Sequence, residues 1–182
     1  MVARNQNELP AKFKKNEFIV YPVHGVGNII DVERCEIAGA TIEFYVIYFE
    51  KNKLRLSVPT SRWKMAGMRK LADKDTMDRA LKSLSGRARI RRTMWSKRAQ
   101  EYETKINSGS LVALAEVVRD LYRSDGQPEQ SYSERQIYEN ALERMAREIA
   151  AIRKTDQTTA IDEIRQALDK GPGRQGAETH AQ

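Results

Sequence analysis

IEFYVIYFEKNKLRLSV, residues 42–58, is the stretch that decides the fold of the N-terminal part of this 182-residue chain. Ile42 to Phe49 is an unbroken run of β-branched and aromatic residues apart from Glu43, the side chains that suit a pleated, half-buried surface. Glu50 to Lys53 is a polar turn, and from Lys53 to Val58 the pattern alternates, with Leu54, Leu56 and Val58 on one face. Pro59 ends the run because it has no N–H to give to a ladder. The stretch therefore reads as a β-hairpin.

Working outward from it, Phe18–Pro22 (FIVYP) reads as a short strand. The turn His24-Gly25-Val26-Gly27 follows, with its glycines assigned to backbone conformation. Asn28–Ile37 reads as a second strand, Ala38-Gly39-Ala40 as a turn, and Met68–Leu71 as a last short strand. Five short strands in about 60 residues predict a small bent sheet of the SH3-like barrel kind. A domain of that size has little interior, and its usual task is docking on another protein, often through a sheet edge. His24-Gly25-Val26-Gly27 is not a phosphate loop, since no helix N-terminus follows and the lysine and hydroxyl of such loops are missing.

After Leu71 the period changes. Asp75 is placed as the cap of a helix with Met77, Ala80, Leu81 and Leu84 inward, ending near Gly86. A second helix is predicted from Arg91 to Ile106. Ser110 caps a third, with an apolar stripe of Leu111, Leu114, Ala115, Val118, Leu121 and Tyr122. Ser133 with Gln136 reads as the capping box of a long fourth helix, with Ile137, Leu142, Met145, Ile149 and Ile152 inward. A last helix covers about Thr159–Leu168. The expected organisation is α+β: a disordered leader at 1–12, a β domain at 13–72, a helical bundle at 75–168 and a flexible tail at 169–182. Trp63 is placed at the junction of the two domains.

The net charge of +7 is unevenly distributed. Residues 1–74 hold thirteen basic and eight acidic groups, residues 75–107 nine and four, and residues 108–182 ten and thirteen. The positive field peaks in the middle third, at Arg87–Tyr102 (RARIRRTMWSKRAQEY), whose first twelve residues carry six cations and no acid around Trp95. Basic side chains neutralise phosphates without reading sequence, and a flat ring among them can stack on bases or wedge between them. The plain alternative is a solvated helix face, with Trp95 turned to the core.

Nothing in the chain suggests catalysis. A single cysteine, Cys35, excludes an internal disulfide and a cysteine-rich zinc site, and is read as a packing residue. His24, beside a turn, is read as a turn or surface residue and not a base, and Glu143 with Arg147, and Glu148 with its neighbours, read as solvated ion pairs along one helix. No apolar run is long enough to cross a bilayer. The expectation is a soluble cytoplasmic protein, not an enzyme, without cofactor or metal.

VYPVHGVGNI, LRLSVP and, above all, WSKRAQEYETKINSGSLVALAEVVRDLYR carry a resemblance. From about Phe13 to Leu168 the chain resembles the CarD/CdnL family of bacterial regulators that bind RNA polymerase. The resemblance implies a Tudor-like or SH3-like domain, of a kind also found in transcription-repair coupling factors, that binds the polymerase β subunit. It also implies a helical domain that contacts promoter DNA in the minor groove, largely independent of sequence. The family's tryptophan falls on Trp95, which would wedge at the upstream edge of the melted bubble and oppose its collapse. Lys97 and Arg98 match the family's basic neighbourhood, with Arg91 and Arg92 added. Two arginines that some actinobacterial members use against polymerase fall, by ungapped alignment, on Cys35 and Ser57. The docking surface implied here is Arg34, Ile37, Arg55, Ser57 and Pro59. The expected molecule is a monomer that reaches the nucleoid through polymerase. The competing expectation is an adaptor whose basic helix binds an acidic protein and never meets DNA.

Overall fold

The computed structural model describes residues 12–172. They form two compact units, divided in the chain between Lys70 and Leu71. The expectations for residues 1–11 and 173–182 lie outside the described residues. Lys12, the one described residue of the expected leader, has its ammonium 3.9 Å from the ring centroid of Trp63.

The first unit is one antiparallel sheet of β1 (Phe18–Tyr21), β2 (Gly25–Ile37), β3 (Ala40–Phe49), β4 (Leu54–Pro59) and β5 (Arg69–Lys70), in the order β4-β3-β2-β1-β5. It is bent but not closed: β4 and β5 are its two edges, so the predicted barrel is an open sheet. The β2–β3 hairpin is closed by Ala38 and Gly39, both at positive φ, the two-residue turn whose twist matches that of the strands. A register shift between Ile29 and Asp31 marks a bulge that bends the long β2 strand. Phe13, Ile19, Ile29, Tyr45, Ile47, Phe49, Val58 and Met68 form the core. Trp63 packs on this core, 5.5 Å edge-to-face from Phe13.

The two glycines of the His24–Gly27 turn serve different ends, and only one serves backbone conformation. Gly25 has φ +80°, which favours glycine. At Gly27 a Cβ would lie 2.7 Å from both Ile47 Cγ2 and Phe49 Cε1, so its lack of a side chain makes room for the core. Both residues belong to β2, which starts three residues earlier than predicted.

The second unit contains α1 (Lys74–Leu84), α2 (Trp95–Asn107), α3 (Leu111–Leu121), α4 (Tyr132–Arg153) and α5 (Gln157–Asp169). The apolar α3 is the central helix, packing on α1, α2 and α4, while α5 closes against α4 and α1. Three starts besides that of α2 differ from prediction. Asp73, not Asp75, caps α1, and Asp156 caps α5, which starts at Gln157, two residues before the expected Thr159. The capping box of α4 is Ser131 with Glu134, overlapping the predicted Ser133–Gln136 pair. A carboxylate at the positive end of a helix is favoured over an amide, which decides between two boxes two residues apart.

Two further assignments change. Glu148 is not a solvated partner: it is 1% exposed and its Oε1 accepts the Ala72 N–H at 2.9 Å. Met145 and Ile149 beside it are buried, so the inward face of α4 carries this carboxylate with it. Cys35 does not pack; it is exposed on β2.

Candidate nucleic-acid interface

The basic stretch is only half helix. Four arginines between positions 87 and 92 would crowd the positive end of any helix started there, where cations are disfavoured. Residues 87–94 are accordingly irregular, and α2 begins at Trp95 instead of the predicted Arg91. The chain leaves α1 at Gly86, where a Cβ would sit 3.1 Å from Ser83 O and 3.7 Å from the Arg119 side chain running beside it. Two ties then hold the segment. Arg89 N–H donates to Asp120 Oδ1 on α3 at 2.9 Å, and Arg91 pairs with Glu101 on α2 at 3.5 Å. Asp120 is 3% exposed, and its Oδ1 also accepts from Arg119 Nε at 2.9 Å.

Met94 caps α2 without a side-chain hydrogen bond and is 79% exposed. Trp95, the first helical residue, is partly buried on the helical core, its ring 6.4 Å from that of Tyr102. The Arg98 guanidinium lies over the ring at 5.4 Å, a cation–π contact, and its Nε is buried with no hydrogen-bond partner. Burial, and then the charge of Asp120, raise the pKa of the Tyr102 hydroxyl. Arg91, Arg92 and Lys97 are exposed. The five predicted residues thus gather at one end of α2, with Trp95 neither free in solvent nor sealed in the core. A cleft of about 680 Å³ opens next to them, with Arg89, Arg91, Arg98 and Lys105 among the cations on its walls.

The expected polymerase-docking residues are all on the β unit and divide between its faces. Facing residues of paired strands project to the same side. Glu33 opposes Phe44, which opposes Pro59; Val46 opposes Ser57 and Tyr48 opposes Arg55. Cys35 and Ile37 share this face by alternation along β2, so Ile37, Arg55, Ser57 and Pro59 are presented together. Ile37 is 50% exposed, and Arg55 reaches Glu33 at 3.0 Å. Arg34 is not with them: it opposes Glu43 on the other face and pairs with it at 3.0 Å. β4, which bears three of the four, is also an edge strand.

Residues 13–72 match the family model described as CarD-like/TRCF RID domain, and residues 79–165 match CarD, C-terminal domain. The chain belongs to the CarD/CdnL family. It is similar, at 28% identity over 141 residues, to "Putative transcription factor YdeB" of Bacillus subtilis (strain 168), covering 78% of this chain and 92% of that protein. As a CarD/CdnL member the chain is a transcription regulator. The second matched region lies within the second structural unit, and the first runs only two residues past the division at Lys70.

Sequence reasoning missed three parts of this candidate site. Met94 escapes it because an exposed methionine carries no motif. Arg89 counts there toward the charge but not as a backbone anchor. The Arg119–Asp120 pair enters only as part of the AEVVRDL resemblance. A polar Arg-Asp step at the end of an apolar helix is the signal that the sequence offers for it.

Proposed function

We propose that this protein stabilises the promoter open complex. The β unit docks on the RNA polymerase β subunit through the face of Ile37, Arg55, Ser57 and Pro59 and the β4 edge. The helical unit brings Trp95 to the upstream edge of the bubble as a minor-groove wedge, and Arg91, Arg92, Lys97 and Arg98 serve the phosphates.

One observation carries this reading. Trp95 breaks the surface at the very start of a helix, next to exposed Met94 and among exposed cations. An apolar wedge works by entering an opened base step while basic groups hold the backbone on either side. A Trp wholly inside the core could not do so, and a Trp on a mid-helix face would be screened by its neighbours. The open complex gains only the difference between its affinity and that of the closed complex, so a wedge that fits melted DNA alone suffices. Tethering to polymerase raises the local concentration of the helical unit, so its own affinity for DNA can be weak.

The test is open-complex lifetime under competitor challenge, on a promoter with an unstable bubble. Stacking of an aromatic on a base is worth about 1–3 kcal/mol. Trp95→Ala is expected to shorten the lifetime about tenfold or more while polymerase binding is unchanged. Urea unfolding of Trp95→Ala, measured beside the lifetime, separates loss of the wedge from loss of stability. An unchanged lifetime for Trp95→Ala refutes the proposal. Crosslinking of the helical unit to an acidic protein, with none to promoter DNA, would favour the adaptor.

A further inference from the structure

We propose that the buried Arg119–Asp120 pair is a positioning device for the basic segment 87–94, a role for the AEVVRDL helix that goes beyond packing. The inference rests on the DNA-contacting reading of that segment. Asp120 Oδ1 accepts two hydrogen bonds at 2.9 Å, one from Arg119 Nε and one from the backbone N–H of Arg89. Arg119 in turn donates to Ser83 Oγ at 3.3 Å, in the last turn of α1. Two adjacent residues therefore bind the helix before the segment, the segment itself and the central helix.

The position of the tie gives it leverage. Residues 87–94 lack any helical or strand ladder, so their path is set by the contacts they make. Of the two ties, Arg91–Glu101 joins side chains that are 74% and 38% exposed, a pair that water and salt weaken. Arg89 N–H is held instead by a carboxylate that is almost wholly buried, where a hydrogen bond is electrostatically stronger. It pins the segment near its midpoint and leaves only residues 90–94 to span to Trp95. Arg119 supplies the positive charge without which a buried carboxylate would be prohibitive. The side chain of Arg89 takes no part in the tie and remains exposed toward the cleft.

Because the donor is a backbone N–H, the tie can be cut without touching the buried pair. Arg89→Ala removes the cation and keeps the N–H; Arg89→Pro removes both. Both variants are compared in the full chain for melting temperature, polymerase binding and open-complex lifetime. Amide hydrogen exchange over 87–94 is measured in the wild type and both variants. The expected result is a protected Arg89 amide in the wild type, equal protection of the amide at that position in Arg89→Ala, and faster exchange at 90–94 in Arg89→Pro. Arg89→Pro should melt within a few degrees of Arg89→Ala and bind polymerase equally. Its open-complex lifetime should be about tenfold shorter, the loss of one charge-assisted hydrogen bond. Equal lifetimes for the two variants, or an Arg89 amide that exchanges as freely as an exposed one, overturn the inference. Should Arg89→Pro fail to fold, exchange of the wild-type Arg89 amide decides alone. A normal lifetime for Trp95→Ala would sink the wedge instead, with the exchange result still ruling on the tie.

Discussion

Replacing Asp120 by alanine tests how far the helical unit depends on its buried ion pair. The substitution leaves Arg119, a residue 7% exposed, without its carboxylate and the Arg89 N–H without its acceptor. Removing one partner of a buried pair costs about 3–5 kcal/mol, against a total of about 5–15 kcal/mol for a domain. For a unit of about a hundred residues, a loss of that size lowers the melting temperature by roughly 12–30 °C. The double variant Arg119→Met/Asp120→Ala no longer buries a charge. It keeps only the unpaired Arg89 N–H, a penalty of about 1–3 kcal/mol, and should recover the rest. Urea unfolding of the full chain, followed by far-UV circular dichroism with a steady denaturant slope, gives all three free energies. A single-variant loss under about 1 kcal/mol, or a double variant no more stable than the single, would refute the claim that the charge of Asp120 compensates Arg119.

Two predictions concern the scaffold. Gly27→Ala should destabilise the β unit by about 1–3 kcal/mol, because its Cβ meets Ile47 and Phe49 at 2.7 Å in a filled core; an unchanged urea midpoint would contradict this. The carboxyls of Asp73 and Asp156 lie below their ordinary 3.8. For Asp73 the Thr76 hydroxyl and then its N–H stabilise the carboxylate; for Asp156 the Thr159 N–H leads. The unfolded chain thus binds these protons first as pH falls, so the caps stabilise fully above about pH 3.8 and their contribution declines below it. The amides of Thr76 and Thr159 should titrate with midpoints under 3.8, and Asp73→Asn, which caps without titrating, should abolish the Thr76 transition. A midpoint at or above 3.8 would count against the mechanism.

The sequence was most legible where local chemistry and burial agree. The 42–58 hairpin was found because its alternation and its polar turn point to the same structure, and Ser110 because a capping serine directly precedes an apolar stripe. Closure of the sheet was not legible, since the edges of a five-stranded sheet depend on curvature that no period encodes. Neither was the role of Gly27, because a close approach from Ile47 and Phe49 leaves no mark beside the glycine itself. At the helix starts several acceptors compete within two or three residues, and in α4 the carboxylate of Glu134 prevails over the amide of Gln136. Glu148 was misjudged for a related reason: pairing along one helix is visible in sequence, whereas its acceptance of the Ala72 N–H spans 76 residues.

The misreading of residues 91–94 as helix bears directly on function. A helix begun at Arg91 would have fixed its arginines on successive faces about 100° apart, able to meet a backbone only a few at a time. An irregular segment has no such constraint, and its exposed arginines can follow a curved phosphate track. It gives up, however, the hydrogen bonds that keep a helix in place, and a loose segment would lose its entropy at the moment of binding. The midpoint tie to Asp120 resolves that conflict by fixing the path at Arg89 while leaving the side chains of Arg87, Arg91 and Arg92 exposed. Trp95 then starts a helix whose far end is anchored in the core by Tyr102 and Ile106. On the proposed function, Trp95 would thus be carried on a rigid element and the phosphate-contacting arginines on an adaptable one, each suited to its target: a base step at a defined position, and a backbone whose path changes as the duplex opens.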